Sequence, residues 1–147
     1  MDENKPLVMG IDPGKSGSIA LINKDLIIST FPMKNMTEKD ICDLINEYSD
    51  RTSYAAIERV WALPGQGAAA MWGFAGNFFT LKTSLYAFEY SFHEVLPRKW
   101  QTALGCLTKG DKNISKAKAQ QLFPDVKVTH AIADSILIAY YALKYLG

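Results

Sequence analysis

The run from Val8 to Ile22, VMGIDPGKSGSIALI, constrains this chain most, because a Pro-Gly turn divides it into two apolar halves. Leu7 to Asp12 reads as one strand and Ser18 to Asn23 as the next, the chain reversing through Pro13-Gly14-Lys15-Ser16-Gly17. Leu26 to Phe31 adds a third apolar run, so the chain is expected to begin as an antiparallel meander. Asp12 closes the first strand beside the turn. There the glycines let a bulky polyanion approach the backbone, and a carboxylate can hold a hard cation. An Asp-x-Gly turn also arises for conformational reasons alone, so its meaning depends on partners elsewhere in the chain.

After Phe31 the apolar period lengthens. Thr37 with Asp40 three residues on resembles a capping arrangement, and Ile41, Leu44, Ile45 and Tyr48 follow at helical spacing. Tyr54-Ala55-Ala56-Ile57-Glu58 reads as a short buried strand ending in a second carboxylate. The loop Leu63-Pro64-Gly65-Gln66-Gly67 leads to a long helix from about Ala68 to about Tyr90. Trp72, Phe74, Phe78, Phe79 and Leu81 crowd that helix. Most are expected in the core, although a helix apolar on several sides also suggests a buried partner face. Ser91 to Leu96 is expected to be a strand, Pro97 to open a short helix and Ser115 to Phe123 to form another. Thr129 to Leu146 predicts the last helix, striped by Ile132, Ile136, Ala139, Tyr140 and Leu143. No repeat or linker interrupts the 147 residues, which suit a single domain over 1–147.

A helix between the third and fourth strands permits a crossover that lays the fourth strand parallel to the first. Asp12 and Glu58 then stand at the carboxyl ends of neighbouring strands, where ligands of such sheets gather. In Thr129-His130-Ala131-Ile132-Ala133-Asp134, His130 and Asp134 are i and i+4 and project from one face of the expected first turn. An acid there suits the helix dipole, and a histidine there is also a metal ligand of a common kind. Both explanations stand at this level.

Composition excludes several classes. With 48% apolar and 21% charged residues the chain is an ordinary soluble globular sequence. No run approaches the ~18 apolar residues of a membrane span, and Met1-Asp2-Glu3-Asn4-Lys5-Pro6 lacks the apolar segment of a secretory signal. Cys42 and Cys106 lie far apart without metal-ligand spacing and are expected to be reduced core thiols, as in the cytoplasm. A net charge of +1 hides an asymmetry: from Pro97 to Lys118, Arg98, Lys99, Lys109, Lys112, Lys116 and Lys118 face Asp111 alone. Such a run is a solvated face or a phosphate-binding arm. Lys15, Arg59, Gln66, Arg98, Lys99, Lys109, Lys112 and Lys116 are the candidate nucleic-acid contacts.

Gly10-Ile11-Asp12-Pro13-Gly14, Ile57-Glu58-Arg59-Val60 and His130-Ala131-Ile132-Ala133-Asp134-Ser135 together resemble the three acidic motifs of RuvC-type Holliday-junction resolvases. These belong to the ribonuclease H-like, or retroviral-integrase, superfamily. The stretch from Glu58 to Gly67 and the segment Pro97-Arg98-Lys99-Trp100 are similar to the phage-type, prophage and chloroplast branches. The similarity runs from Val8 to about Leu143 in the right order. One departure stands out: where the bacterial enzymes carry an acid or histidine three residues before the final acid, this chain has Ala131, and His130 lies four before Asp134.

The resemblance implies an α/β ribonuclease H-like fold, a mixed five-stranded sheet flanked by helices. It also implies a Mg²⁺-dependent endonuclease that cuts four-way DNA junctions as a homodimer. Two divalent ions about 3.5–4 Å apart clamp an in-line phosphodiester displacement, and hard oxygen ligands suit Mg²⁺ with Mn²⁺ able to substitute. On that reading Asp12 bridges both ions and Glu58 and Asp134 hold one each, while His130 completes the second site or orients the attacking water. Two other readings compete. One is a non-catalytic branched-DNA-binding protein; the other is an actin- or hexokinase-like phosphotransferase, which needs two lobes and a longer chain.

Overall fold

The computed structural model describes residues 6–62 and 64–147. Met1 to Lys5, read above for a signal segment, and Leu63, the first residue of the expected loop, lie outside the described residues.

Ten elements follow in order: β1 (Leu7–Asp12), β2 (Ser18–Ile22), β3 (Ile28–Pro32), α1 (Glu38–Glu47), β4 (Thr52–Glu58), α2 (Ala68–Ala87), β5 (Phe92–Val95), α3 (Pro97–Ala103), α4 (Lys112–Leu122) and α5 (His130–Tyr145). The five strands form one sheet ordered β3-β2-β1-β4-β5. β1 pairs antiparallel with β2, and β2 with β3, whereas β4 runs parallel to both β1 and β5. This is the mixed sheet that the resemblance implied, with the crossover through α1 setting β4 beside β1.

Strand alternation sorts the side chains into two cores, one on each face of the sheet. Leu7, Met9 and Ile11 of β1 point with Ile57 of β4 toward α1 and α2, where Ile41, Ile45, Leu81 and Leu85 close the layer. Val8 and Ala56 point the other way, toward Ile132, Ile136 and Ala139 of α5, with Trp100 of α3 and Ala119 of α4 completing that side. Thr37 caps α1 as expected, its hydroxyl accepting from Asp40 N while the Asp40 carboxylate accepts from Thr37 N.

Several boundaries and environments differ from the sequence reading. β3 starts at Ile28 rather than Leu26, because Leu26 adopts a left-handed φ of 62° inside the turn and Asn23 Oδ1 accepts from Asp25 N and Ile27 N there. α2 stops at Ala87, and Glu89 at φ 61° turns the chain toward β5. α4 begins at Lys112 rather than Ser115, because Asp111 caps it by accepting from Asn113 N. Of the residues crowding α2, most of them expected in the core, Trp72 and Phe79 are exposed at 85% and 58%. α2 is apolar on several sides, and not all of them can face the sheet. Cys106 is buried and Cys42 half-buried, and both are free thiols. Among the described residues, no helix is long and apolar enough to cross a membrane.

Candidate active site

The site begins with missing side chains. Gly10 is paired with Ala20 on one side and Ala56 on the other, so three adjacent strands present a patch of small residues to α5. A Cβ on Gly10 would lie 2.3 Å from Ala139 N and 2.6 Å from Ser135 O. Only glycine lets the helix backbone come this close. The buried hydroxyls of Ser18 and Ser135 hydrogen-bond across the same contact and fix the helix along its axis. Asp134, one residue before Ser135, is thereby delivered to the end of β1.

The parallel pairing of β1 and β4 reaches Ile11 opposite Ile57, and one further step sets Asp12 beside Glu58. By alternation both carboxylates leave the sheet on the α5 side. Beyond Asp12 the chain turns at Gly14, whose φ of 109° excludes other residues without strain, and Gly17 N donates to Gly14 O at 3.0 Å. The turn is held from outside as well. Gly14 N donates to Asn77 Oδ1 of α2 at 2.6 Å, and a Cβ on Gly14 would meet the Phe74 ring at 2.9 Å.

Asp12, Glu58, His130 and Asp134 line one cleft of about 340 Å³, together with Lys15, Lys112, Ser115 and the glycine turn. The three acids are half-buried, and His130 sits exposed at the rim. Withdrawal from water raises the pKa of all three acids. Asp12 is pushed well above the ordinary carboxylate range, first by burial and then by repulsion from Glu58 and Asp134. Glu58 rises from 4.5 to about 7, chiefly through burial, while an indole donor from Trp100 pulls it back. Asp134 is raised by burial and partly restored by a hydrogen bond with Ser115 and by the charges of Lys112 and His130. Among the described residues, Lys112 is thus the cation that opposes all three shifts.

Carboxylates that repel one another in a shared cleft are what a hard cation stabilises, so the donor chemistry fits Mg²⁺ or Mn²⁺. Among the described residues, however, no three His, Cys, Asp or Glu side chains gather closely enough to hold a single ion. Mg²⁺ is commonly held by one or two carboxylates plus water and substrate oxygens, which this cleft can offer.

The other candidate contacts are spread more widely. Lys15 and Lys112 line the cleft. Arg59 lies over the Trp61 ring, 5.0 Å from its centre, and Gln66 lines a neighbouring apolar groove of about 450 Å³ with Trp61, Trp72 and Phe79. Arg98 and Lys99 are exposed on α3, Lys109 occupies a left-handed position at φ 47°, and Lys116 is half-buried on α4. The helix-dipole explanation for Asp134 falls away, because α5 has no acid in its first turn.

Sequence reasoning missed three residues that shape the site. Trp100 Nε1 donates to Glu58 Oε2 at 2.7 Å, Ser115 bonds Asp134, and Asn77 tethers the glycine turn. The one available signal was a tryptophan inside a basic run, since a buried indole needs an acceptor for its N–H.

No family model matches the chain, and no curated protein matches it. Its fold is found in solved structures. A Thermus thermophilus RuvC in complex with Holliday junction substrate superposes with a TM-score of 0.68 at 14% identity, over 96% of this chain and 94% of that one. A further Thermus thermophilus RuvC structure gives a TM-score of 0.59 at 15% identity, covering 95% of each chain. The chain has the RuvC-like, ribonuclease H-like fold.

Proposed function

We propose that this chain, as one nuclease domain, is a structure-selective endonuclease that resolves four-way DNA junctions by Mg²⁺-dependent phosphodiester hydrolysis, placing paired symmetric nicks as a homodimer in the cytoplasm. One observation carries the reading: three carboxylates from β1, β4 and α5 meet in one cleft of a RuvC-like fold, with their pKa values raised.

Asp12, Glu58 and Asp134 are the residues that would hold divalent ions. When bound, such ions supply the Lewis acidity that activates water and stabilises the leaving alkoxide. Lys15 and Lys112, at the cleft, grip the phosphates flanking the cut, and Lys112 balances the acids until DNA arrives. His130, exposed at the rim and four residues from Asp134, would help hold an ion or orient the attacking water. Arg59, Arg98, Lys99, Lys109 and Lys116 lie outside the cleft and extend the contact to the DNA backbone, while Gln66, in the loop before α2, is the side chain placed to touch the junction centre. The apolar side of α2, with Trp72 and Phe79 exposed, is the surface through which two copies pair about a two-fold axis.

A binding-only reading draws on the lack of three close ligands among the described residues. Labelled four-way junction, flap and linear duplex DNA, incubated with the protein in Mg²⁺ or Mn²⁺, separate the two. Paired symmetric nicks in the junction, abolished by Asp12→Asn, are expected. Junction binding without cleavage in either ion would reject catalysis.

A further inference from the structure

We infer that Trp100 is a positioning residue for Glu58, its indole N–H holding one carboxylate oxygen so that the other faces the cleft for a divalent cation. The inference rests on the nuclease reading for its consequence and on geometry for its substance.

Trp100 is the largest wholly buried side chain of the molecule, at 0% exposure. Pro97 opens α3 at its first turn, and the helix places Trp100 in the α5-side core rather than in the basic face formed by its neighbours Arg98 and Lys99. A buried indole N–H can only donate, and it requires an acceptor. A backbone carbonyl would satisfy it equally well. Here it instead meets Glu58 Oε2 at 2.7 Å, at the short end of the N–H···O range. Glu58 is the last residue of β4, and its side chain has three rotatable bonds with which to leave the cleft. A donor fixed in the core removes that freedom. It engages one lone pair of Oε2 and leaves Oε1 unengaged by it. Because Trp100 offers no acceptor, it acts only through Glu58. Partners of this kind behind a ligand typically change metal affinity or activity by about 10–100-fold when removed.

Trp100→Phe keeps a buried aromatic ring and deletes the donor. Expected are an unchanged circular dichroism spectrum, Mn²⁺ affinity weakened by about 10–100-fold in calorimetry without DNA, and a matching rise in the Mg²⁺ needed for half-maximal junction cleavage. Junction affinity measured without divalent ions should not change. A merely structural role would lower the melting temperature and leave metal affinity alone. A folded Trp100→Phe with wild-type Mn²⁺ affinity therefore overturns the inference.

The wild-type protein supplies a second measurement should that variant not fold. Its three tryptophans give three indole N–H signals under ¹⁵N labelling. The Trp100 signal should move on adding Mg²⁺ and in Glu58→Gln. Indifference to both overturns the inference. A signal that responds to Mg²⁺ in a protein that cuts no branched DNA upholds the positioning role and rejects the nuclease reading instead.

Discussion

Glu58 carries opposing demands. Burial holds its pKa near 7 against an ordinary 4.5, and Asp12 and Asp134 are raised in the same direction. A carboxyl that binds its proton more tightly when folded contributes most below its unfolded pKa and loses that contribution as pH climbs through its folded value. For Glu58 the window is about pH 4.5 to 7. In EDTA, the melting temperature of the wild-type protein should therefore decline across that window, and Glu58→Gln should flatten the decline. Relief of about 1 kcal/mol at pH 8 would raise the melting temperature of Glu58→Gln by about 2–4 °C in a chain of this size. The same variant, and Asp134→Asn, should bind junctions yet lose more than the ~10–100-fold in cleavage that follows from losing a mere supporting partner. A rise in stability joined to a loss of activity marks residues retained for chemistry. A lower melting temperature for Glu58→Gln at pH 8 in EDTA would contradict a cost of burying the ionised Glu58 carboxylate.

Among the elements, α5 depends on Gly10 more than on its own apolar stripe. The helix rests on a surface of Gly10, Ala20 and Ala56, and the nearest atoms to a Gly10 Cβ belong to backbone that cannot swing aside. Gly10→Ala should cost about 1–3 kcal/mol in urea unfolding, the usual range for overpacking, and Gly10→Val at least as much. Because α5 carries Asp134 and His130, the folded fraction of Gly10→Ala should also cleave more slowly. A neutral Gly10→Ala would show that α5 can withdraw without loss. Elements with local signals were legible from the start: the Thr37–Asp40 box predicted the start of α1, and the turn after Asp12 predicted the hairpin. The start of α4 was misplaced because Asp111 read as one acid among lysines rather than as a cap. That difference of one turn sets Lys112 in the cleft.

For the whole molecule, the two faces of the sheet divide the labour. The α5 side gathers the acids and Lys112 of α4, while the α1–α2 side ends in an apolar surface with Trp61, Trp72 and Phe79 exposed. Paired nicking requires two cleft-bearing copies in fixed relation. Trp72→Glu combined with Phe79→Glu should convert a sedimenting dimer to monomer and replace paired cuts by single nicks, while Mn²⁺ binding at the cleft persists. A wild-type chain that sediments as a monomer even on junction DNA would remove the homodimer from the proposal.

By itself the sequence determined what short-range chemistry decides. The strand–turn–strand around Asp12, the acid at the end of the fourth strand, the i, i+4 pair His130 and Asp134 and the order of the elements all depend on residues near one another in the chain. The crossover rule then sets Asp12 beside Glu58. Only the tertiary structure decided what depends on contacts between distant residues: the indole of Trp100 on Glu58, the amide of Asn77 on the glycine turn, the approach of α5 to Gly10, and which side of α2 stays outside. No local pattern encodes these. A buried donor takes whichever acceptor the packing presents, and a helix apolar on several sides carries no mark of the side that meets the sheet.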